Sequence, residues 1–239
     1  MTDHIVTRYD NELRELAVRI TQMGGLCEMA LTEATAAIKK QDTESALKII
    51  DNDVRIDDLE RETEELAIHL IARRQPMAND LREIVAAVKI AADLERIGDL
   101  AKNIAKRAVA LQDQSQPARI IRGLDHISEI ALHQLTDVLD AYTRRDAEMA
   151  MKVWHRDSDL DAVYTSIFRE LLTYMMEDPR NITLCTHLLF AAKNIERIGD
   201  HATNIAETIH YVATGETLAG ERPKSDESSL ATVSAEADD

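Results

Sequence analysis

One stretch of the sequence occurs twice, and this repeat constrains the fold more than any other feature. Residues 95–105 read Glu-Arg-Ile-Gly-Asp-Leu-Ala-Lys-Asn-Ile-Ala, and residues 196–206 read Glu-Arg-Ile-Gly-Asp-His-Ala-Thr-Asn-Ile-Ala. The copies differ only at Leu100/His201 and Lys102/Thr203, and they lie 101 positions apart. Because each copy lies near the end of one half of the chain, the repeat predicts two related modules in tandem.

Both copies lie in long stretches that favour helix. No Pro interrupts residues 77–116 or 180–222, and Ala, Leu, Ile, Glu, Lys and Arg dominate there. The whole chain has only 3% aromatic residues, 7 Gly and 4 Pro, a composition that favours an all-α protein. We therefore predict an all-α fold of two tandem three-helix bundles related by an internal pseudo-two-fold repeat.

The apolar periodicity predicts the extent of the helices. Six helices are expected, at about 4–40, 42–74, 79–111, 119–144, 146–176 and 182–213. Asp42 and Asp146, 104 positions apart, are the predicted N-caps of the second and fifth helices. The predicted units are a first bundle at 1–111, a linker at 112–118, a second bundle at 119–214 and a disordered acidic tail at 215–239.

Acidic residues recur one helical turn apart within each copy of the repeat. Residues four apart share a helix face, so each copy forms a column of two carboxylates and an amide. The two columns are Glu95, Asp99 and Asn103, and Glu196, Asp200 and Asn204. Their hard oxygen donors make the four carboxylates candidate metal ligands and the two asparagines possible additional ones.

A second pair of acids is repeated as well. Asp53 and Asp57 are four apart, as are Asp157 and Asp161, and the two pairs are 104 positions apart. Helices joined by a short turn pack antiparallel. We therefore expect these acids to meet the columns across a helix–helix seam, with four carboxylates in each half.

The surroundings of the first column predict that it is partly buried. An apolar stripe leads into Glu95, formed by Leu81, Val85, Val88 and Ala92. The opposite side carries Ile90, Leu94, Ile97, Ala101 and Ile104, so the helix is apolar on two sides. We expect it to be buried between neighbours, with the stripe in the core and the acids continuing that face. Like charges in such a place need a cation or bonded partners to neutralise them.

Gly98 and Gly199 lie between the acids of the two columns. A Gly inside a helix costs about 1 kcal/mol relative to Ala, so its presence in both copies predicts the close approach of another backbone or access for a ligand. In the alternative interpretation, Arg96 or Arg197 pairs with an acid and the Gly is a packing notch.

The charge of the chain limits its direct partners. The formal net charge is −16, which argues against direct binding to nucleic acid or to an anionic membrane. No apolar run approaches the roughly 20 residues of a spanning helix, and the N-terminus lacks a signal-peptide pattern. We predict a cytoplasmic protein that meets the membrane only through a protein partner.

These motifs resemble those of the PhoU family, regulators of bacterial phosphate uptake. The resemblance rests on the Glu-Arg-Ile-Gly-Asp repeats, the Arg-Arg-Gln-Pro turn at 73–76 and the Tyr-Met-Met-Glu-Asp-Pro segment at 174–179, and it covers about residues 5–215. It implies two three-helix bundles with Glu/Asp-x-x-x-Asp motifs, which bind metal ions in some members. In this chain the motif falls on Asp53, Asp57, Glu95, Asp99, Asp157, Asp161, Glu196 and Asp200.

The resemblance also implies a function. It predicts a non-enzymatic negative regulator of the phosphate-starvation (Pho) response that couples the phosphate ABC transporter to a sensor histidine kinase. The implied partners are that kinase, the ATPase subunit of the transporter and a second copy of the chain, as a homodimer. Divalent or ferric ions such as iron, zinc, manganese or magnesium are the implied cofactors, with the identity of the metal left open.

Two other interpretations remain open at this stage. A metal-dependent hydrolase or oxidase could use the same carboxylates, but ferritin-like di-iron sites need two Glu-x-x-His motifs and the chain has one, Glu207 to His210. The other is a purely structural helical dimer whose acids are solvated. The metal content of the purified protein would separate the structural interpretation from the other two.

Overall fold

The computed structural model describes residues 2–218, with side chains for Tyr9 and from Asn11 onward. Within this part the chain is helical and contains no strand, which confirms the predicted all-α fold. The helices are α1 (Thr2–Lys40), α2 (Thr43–Asn52), α3 (Val54–Arg74), α4 (Asn79–Ala110), α5 (Ala118–Arg144), α6 (Ala147–His155), α7 (Asp157–Glu177), a 3-10 turn (Pro179–Asn181) and α8 (Ile182–Thr214). Most of the predicted tail, from residue 219 onward, lies outside the described residues.

The predicted second and fifth helices are each broken into two, which the sequence pattern did not show. The first break is at Asp53, whose carbonyl accepts hydrogen bonds from the backbone N–H of Ile56 at 2.8 Å and of Asp57 at 3.3 Å. The second break is at Arg156, whose carbonyl accepts from Asp159 N at 3.2 Å and from Gln134 Nε2 at 3.0 Å. A bond to the third residue onward marks a tightened turn, so the middle helix of each half (α2–α3 in the first, α6–α7 in the second) is interrupted there.

The two predicted N-caps are confirmed. The Asp42 carboxylate accepts a hydrogen bond from the backbone N–H of Ser45, and the Asp146 carboxylate accepts one from Met149, both at 3.0 Å. Each cap satisfies a backbone donor that the first turn of a helix leaves free. An aspartate N-cap therefore begins α2 in the first half and α6 in the second.

The four long helices form the centre of the molecule. Helix α4 runs antiparallel to α8, because Asp93 contacts His201 while Arg107 contacts His187. Helix α1 runs antiparallel to α5, because Thr35 contacts Ser128 while Glu28 contacts Thr136. Each pair joins equivalent helices of the two halves, as a pseudo-two-fold relation requires. Helices α2 and α3 cover α1 and α4, and α6 and α7 cover α5 and α8, around one continuous apolar core.

The apolar stripe on α4 is largely exposed, contrary to the prediction, and of its four residues only Val88 packs against the core. Leu81 and Val85 are 38% and 40% exposed, and Ala92 is exposed as well. The buried face of α4 is the one that packs on α1 and α8, formed by Ile84, Ile90, Leu94, Ile97, Ala101 and Ile104. Periodicity predicts an apolar face, but only the neighbouring helices decide whether it is covered. No helix in the described part of the chain is both long and apolar enough to cross a membrane.

Two adjacent glycines in α1 offer a test of this packing. A Cβ on Gly25 would have no heavy atom within 4 Å, whereas a Cβ on Gly24 would lie 2.6 Å from Leu139 Cδ2 on α5. We expect Gly25→Ala to raise the free energy of unfolding by about 0.5–1 kcal/mol, because Ala restricts the unfolded chain and favours helix.

The neighbouring variant should behave differently. Gly24→Ala gains the same helix propensity, but its Cβ would crowd the Leu139 side chain and force it to shift, and overpacking of this kind costs about 1–3 kcal/mol. Urea unfolding followed by circular dichroism measures both variants. Equal stabilisation by the two substitutions would contradict the close α1–α5 contact.

Candidate functional site

The first acidic cluster comprises Asp53, Asp57, Glu95 and Asp99, and lies at the seam between α3 and α4. The break in the middle helix places Asp53 at the start of α3, with Asp57 in its first turn. A helix N-terminus carries partial positive charge, so it favours carboxylates at this position. The structure thus brings the two predicted acidic pairs together across a seam, as the antiparallel packing of α3 and α4 predicted.

Lys102 lies at the centre of this first cluster. Its Nζ donates to Asp53 Oδ2 at 2.5 Å and to Asp99 Oδ1 at 3.1 Å, so one ammonium joins the start of α3 to α4. The hydrogen bond to Asp53, ahead of the one to Asp99, raises the pKa of Lys102. Asp53 is 5% exposed, whereas the Lys102 side chain is 25% exposed. The buried carboxylate is therefore neutralised by a cation that still reaches solvent.

The remaining acids of the first cluster are less completely compensated. Burial, followed by the neighbouring charge of Asp53, raises the pKa of Asp57. Burial, followed by the charge of Asp99, raises the pKa of Glu95. Arg96 lies 3.6 Å from Glu95 and 3.8 Å from Asp99, and its own side chain is 63% exposed. The alternative in which Arg96 pairs with these acids is thus present only as two long ion contacts.

The second acidic cluster comprises Asp157, Asp161, Glu196 and Asp200, between α7 and α8. Asp157, Asp161 and Glu196 are only 2–4% exposed, so this cluster is buried more deeply than the first. Thr203 occupies the position of Lys102, and its hydroxyl lies 3.2 Å from Asp157 Oδ1 and 3.0 Å from the Gly199 carbonyl. A neutral hydroxyl thus stands in the second half where an ammonium stands in the first.

Glu196 is the most strongly perturbed acid of the second cluster. Burial raises the pKa of Glu196 to about 7, the charges of Asp200 and Asp161 act in the same direction, and Lys193 opposes them. Lys193 Nζ lies 3.0 Å from Glu196 Oε2, and it also lies over the ring of Tyr164 at 4.7 Å. Near neutral pH this carboxyl is therefore divided between its protonated and charged forms.

The two repeated glycines are sites of close approach by the middle helices. A Cβ on Gly98 would meet the side chain of Ile56 and lie 3.3 Å from Asp53 Oδ1. A Cβ on Gly199 would meet the side chain of Leu160 and lie 2.9 Å from Gln134 Oε1. Side chains of the neighbouring helices, rather than a second backbone, occupy the space. The packing interpretation of the glycines is therefore the one that the structure supports.

The two asparagines of the predicted columns contact other groups. Asn103 accepts a hydrogen bond from Lys106 at 3.4 Å. Asn204 donates to Asp93 Oδ1 at 3.3 Å, and His201 Nδ1 lies 2.8 Å from the same oxygen. The contact of Asn103 lies within α4, whereas those of Asn204 and His201 belong to the α4–α8 packing. The structure thus gives Asn204 a role between the halves, which the sequence pattern did not predict.

Metal binding by the eight carboxylates stays a prediction. Within residues 2–218, no three His, Cys, Asp or Glu side chains form an arrangement that could hold a metal ion. In the first cluster Lys102 already bridges two of the acids, and sequence reasoning missed this role. The available signal was the Lys102/Thr203 difference between two otherwise nearly identical copies.

Comparisons with known proteins agree with these features. The family model described as the PhoU domain matches residues 20–108 and 124–209. A "Phosphate-specific transport system accessory protein PhoU homolog" from Rhizobium meliloti is 57% identical over 223 residues, which covers 93% of this chain and 94% of that protein. The protein of the same name from Caulobacter vibrioides (strain NA1000 / CB15N) is 51% identical over 226 residues, covering 95% of this chain and 98% of that one.

Solved structures show the same architecture. The crystal structure of PhoU from Pseudomonas aeruginosa matches with a TM-score of 0.84 at 38% identity, covering 87% of this chain and all of that one. The crystal structure of the phosphate transport system regulatory protein PhoU from Streptococcus pneumoniae matches with a TM-score of 0.82 at 28% identity, covering 88% of this chain and 99% of that one.

Proposed function

The chain belongs to the PhoU family, and from this membership we propose that it is an accessory protein of a phosphate-specific transport system. The observation that carries the proposal is the 57% identity, over 93% of the chain, to a relative that bears this name. Identity at this level over 93% of the chain supports a shared role.

We further propose that the protein is a negative regulator of the phosphate-starvation response. In this role it couples the phosphate ABC transporter, through the ATPase subunit, to a sensor histidine kinase, and it acts as a homodimer. Support comes from the family resemblance and from the sequence, which contains no Gly-x-x-x-x-Gly-Lys phosphate loop of its own. A protein of this kind acts by binding partners rather than by turning over nucleotide.

The charge on α3 supports docking to basic protein surfaces. Four acids on this helix are exposed, at Asp58, Glu62, Glu64 and Glu65. Arg61 pairs with Asp58, and Arg19 lies 3.5 Å from Glu62. It is therefore the net charge of −16, more than this helix alone, that favours association with a positively charged partner and selects against acidic ones. A basic patch on the transporter or the kinase is the complementary surface.

A binding role also suits the acidic clusters better than catalysis. A hydrolytic metal centre needs carboxylates free to coordinate the ion, and in the first cluster the Lys102 ammonium holds both Asp53 and Asp99. The clusters then serve to join each middle helix to the long helix beneath it. We propose that the protein is not an enzyme.

The test is a phosphate-responsive reporter in the host. Deleting the gene should leave phosphate-starvation genes switched on in phosphate-replete medium, because nothing then passes the state of the transporter to the kinase. Complementation with the wild-type gene should restore repression. Deleting the kinase as well should abolish the constitutive signal, which places the protein upstream of the kinase.

Repression that persists at high phosphate in the deletion strain would contradict a sole repressor role. A second copy of the gene in the genome has to be deleted in the same strain before that conclusion is drawn. A constitutive signal that survives deletion of the kinase would contradict the proposed coupling and leave the accessory role intact.

A further inference from the structure

The two copies of the repeat differ in charge at one position inside the clusters. Lys102 in the first half corresponds to Thr203 in the second, within stretches that are otherwise the same except at Leu100/His201. Both side chains contact the first acid of the adjacent middle helix, Asp53 and Asp157 respectively. The equivalent carboxylates thus contact different groups, an ammonium in the first half and a neutral hydroxyl in the second.

The Lys102 ammonium occupies the position that a metal ion bound between Asp53 and Asp99 would need. Its Nζ lies within 3.1 Å of oxygens from both Asp53 and Asp99, one at the start of α3 and one on α4. A divalent ion shared by these carboxylates would bind the same oxygens at about 2.0–2.6 Å. Ammonium and metal ion would then lie in contact, and their like charges repel strongly at such a distance.

We propose that Lys102 is the resident cation of the first acidic cluster and closes that cluster to metal ions. The family's acidic motif is present in this half, but the lysine takes the position of the ion. Breaking the Lys102–Asp53 ion pair is costly, because Asp53 is 5% exposed and its carboxylate would lose the ammonium that neutralises it.

The second cluster has no ammonium at the position equivalent to Lys102. Thr203 is fully buried and neutral, so it adds no positive charge between α7 and α8. Lys193 lies at the other end of the column and pairs with Glu196, three residues away on the same helix. The wild-type chain is therefore not expected to take up a metal ion at the first cluster.

The test is metal uptake by a variant that copies the second half. Chelator-treated full-length protein is titrated with MnCl2 by calorimetry, and its manganese content is measured after dialysis. Lys102→Thr is expected to bind one more Mn²⁺ per chain than the wild type. Mn²⁺ should also raise the thermal midpoint of this variant by several degrees more than that of the wild type. Lys39→Thr removes another paired lysine, outside the clusters, and should bind as the wild type does.

Two results would overturn the proposal. One is equal Mn²⁺ uptake by Lys102→Thr and the wild type. The other is a loss of Mn²⁺ from the wild type on Asp53→Asn, because Asp53 would then be a ligand despite the lysine. If Lys102→Thr does not fold, Lys102→Gln supplies the same comparison, since it removes the charge while keeping most of the side-chain length.

Discussion

Replacing Lys102 with methionine is expected to lower the free energy of unfolding by about 3–5 kcal/mol, the range measured when one partner of a buried ion pair is removed. Methionine keeps much of the apolar stem of the lysine but leaves the Asp53 carboxylate, 5% exposed, without its ammonium. Asp53 must then be protonated or rehydrated at the cost of opening the α3–α4 seam. Chemical unfolding at pH 7 measures the loss.

Removing the other partner should cost much less. In Asp53→Asn the buried group is neutral, and Lys102 keeps both its bond to Asp99 and its access to solvent. Lys39→Met is the matched control, because the Lys39–Asp125 pair is at the surface and such pairs contribute little. Similar losses for Lys102→Met and Lys39→Met would show that the ion pair at the seam is not a buried one in solution.

Replacing Glu196 with glutamine is expected to stabilise the protein at pH 8 by up to about 3 kcal/mol, since one pKa unit corresponds to about 1.4 kcal/mol. Burial raises the pKa of Glu196 to about 7 from the ordinary 4.5. The folded state therefore binds a proton that the unfolded state has released at pH between these values. The stabilisation that comes from proton binding at Glu196 is complete below pH 4.5 and is lost as the pH rises through 7.

The pH profile distinguishes this effect from a simple change in packing. The difference in unfolding free energy between Glu196→Gln and the wild type should grow from pH 5 to pH 8 and then level off. Glu95→Gln is the control, because the equivalent acid in the first cluster is 21% exposed and should show a smaller change in the same direction. A glutamine variant that is less stable than the wild type at pH 8 would mean that the Lys193 pair outweighs the cost of burial.

Lys102 and Glu196 show how the two equivalent clusters differ in the way their charge is balanced. In the first half the charge of the seam is balanced from inside by a lysine that joins α3 to α4. In the second half the acids are buried more deeply, with a threonine in place of that lysine, and one of them shifts its pKa towards neutrality. We expect the second cluster to respond more strongly to pH and to added cations than the first.

The fold could be predicted from the sequence because its signals are local. Long stretches without Pro, rich in strong helix formers, predicted the helices, and Asp42 and Asp146 predicted the starts of α2 and α6. The repeat predicted two related halves. It also predicted which carboxylates meet across each seam, because that follows from the helical turn and from antiparallel packing.

Contacts between residues distant in the chain decided the features of the fold that the sequence did not predict. The break at Arg156 depends on a hydrogen bond from Gln134 on α5, and the apolar period continues across it from Val153 to Leu160, so no local signal marks it. Leu81 and Val85 are exposed because none of the helices within residues 2–218 covers that side of α4.

The tertiary structure alone assigned the role of Lys102. In the sequence it is one lysine three residues after an acid, a pattern that surface helices contain in large numbers. Its second partner, Asp53, is 49 positions earlier and comes within reach only when α3 packs on α4. The sequence by itself determined which groups could carry charge at the seams, because their spacing follows from helix geometry. Only the packing of α3 on α4 and of α7 on α8 determined which charges are buried and which group neutralises them, since burial and ion pairing depend on neighbours from distant parts of the chain.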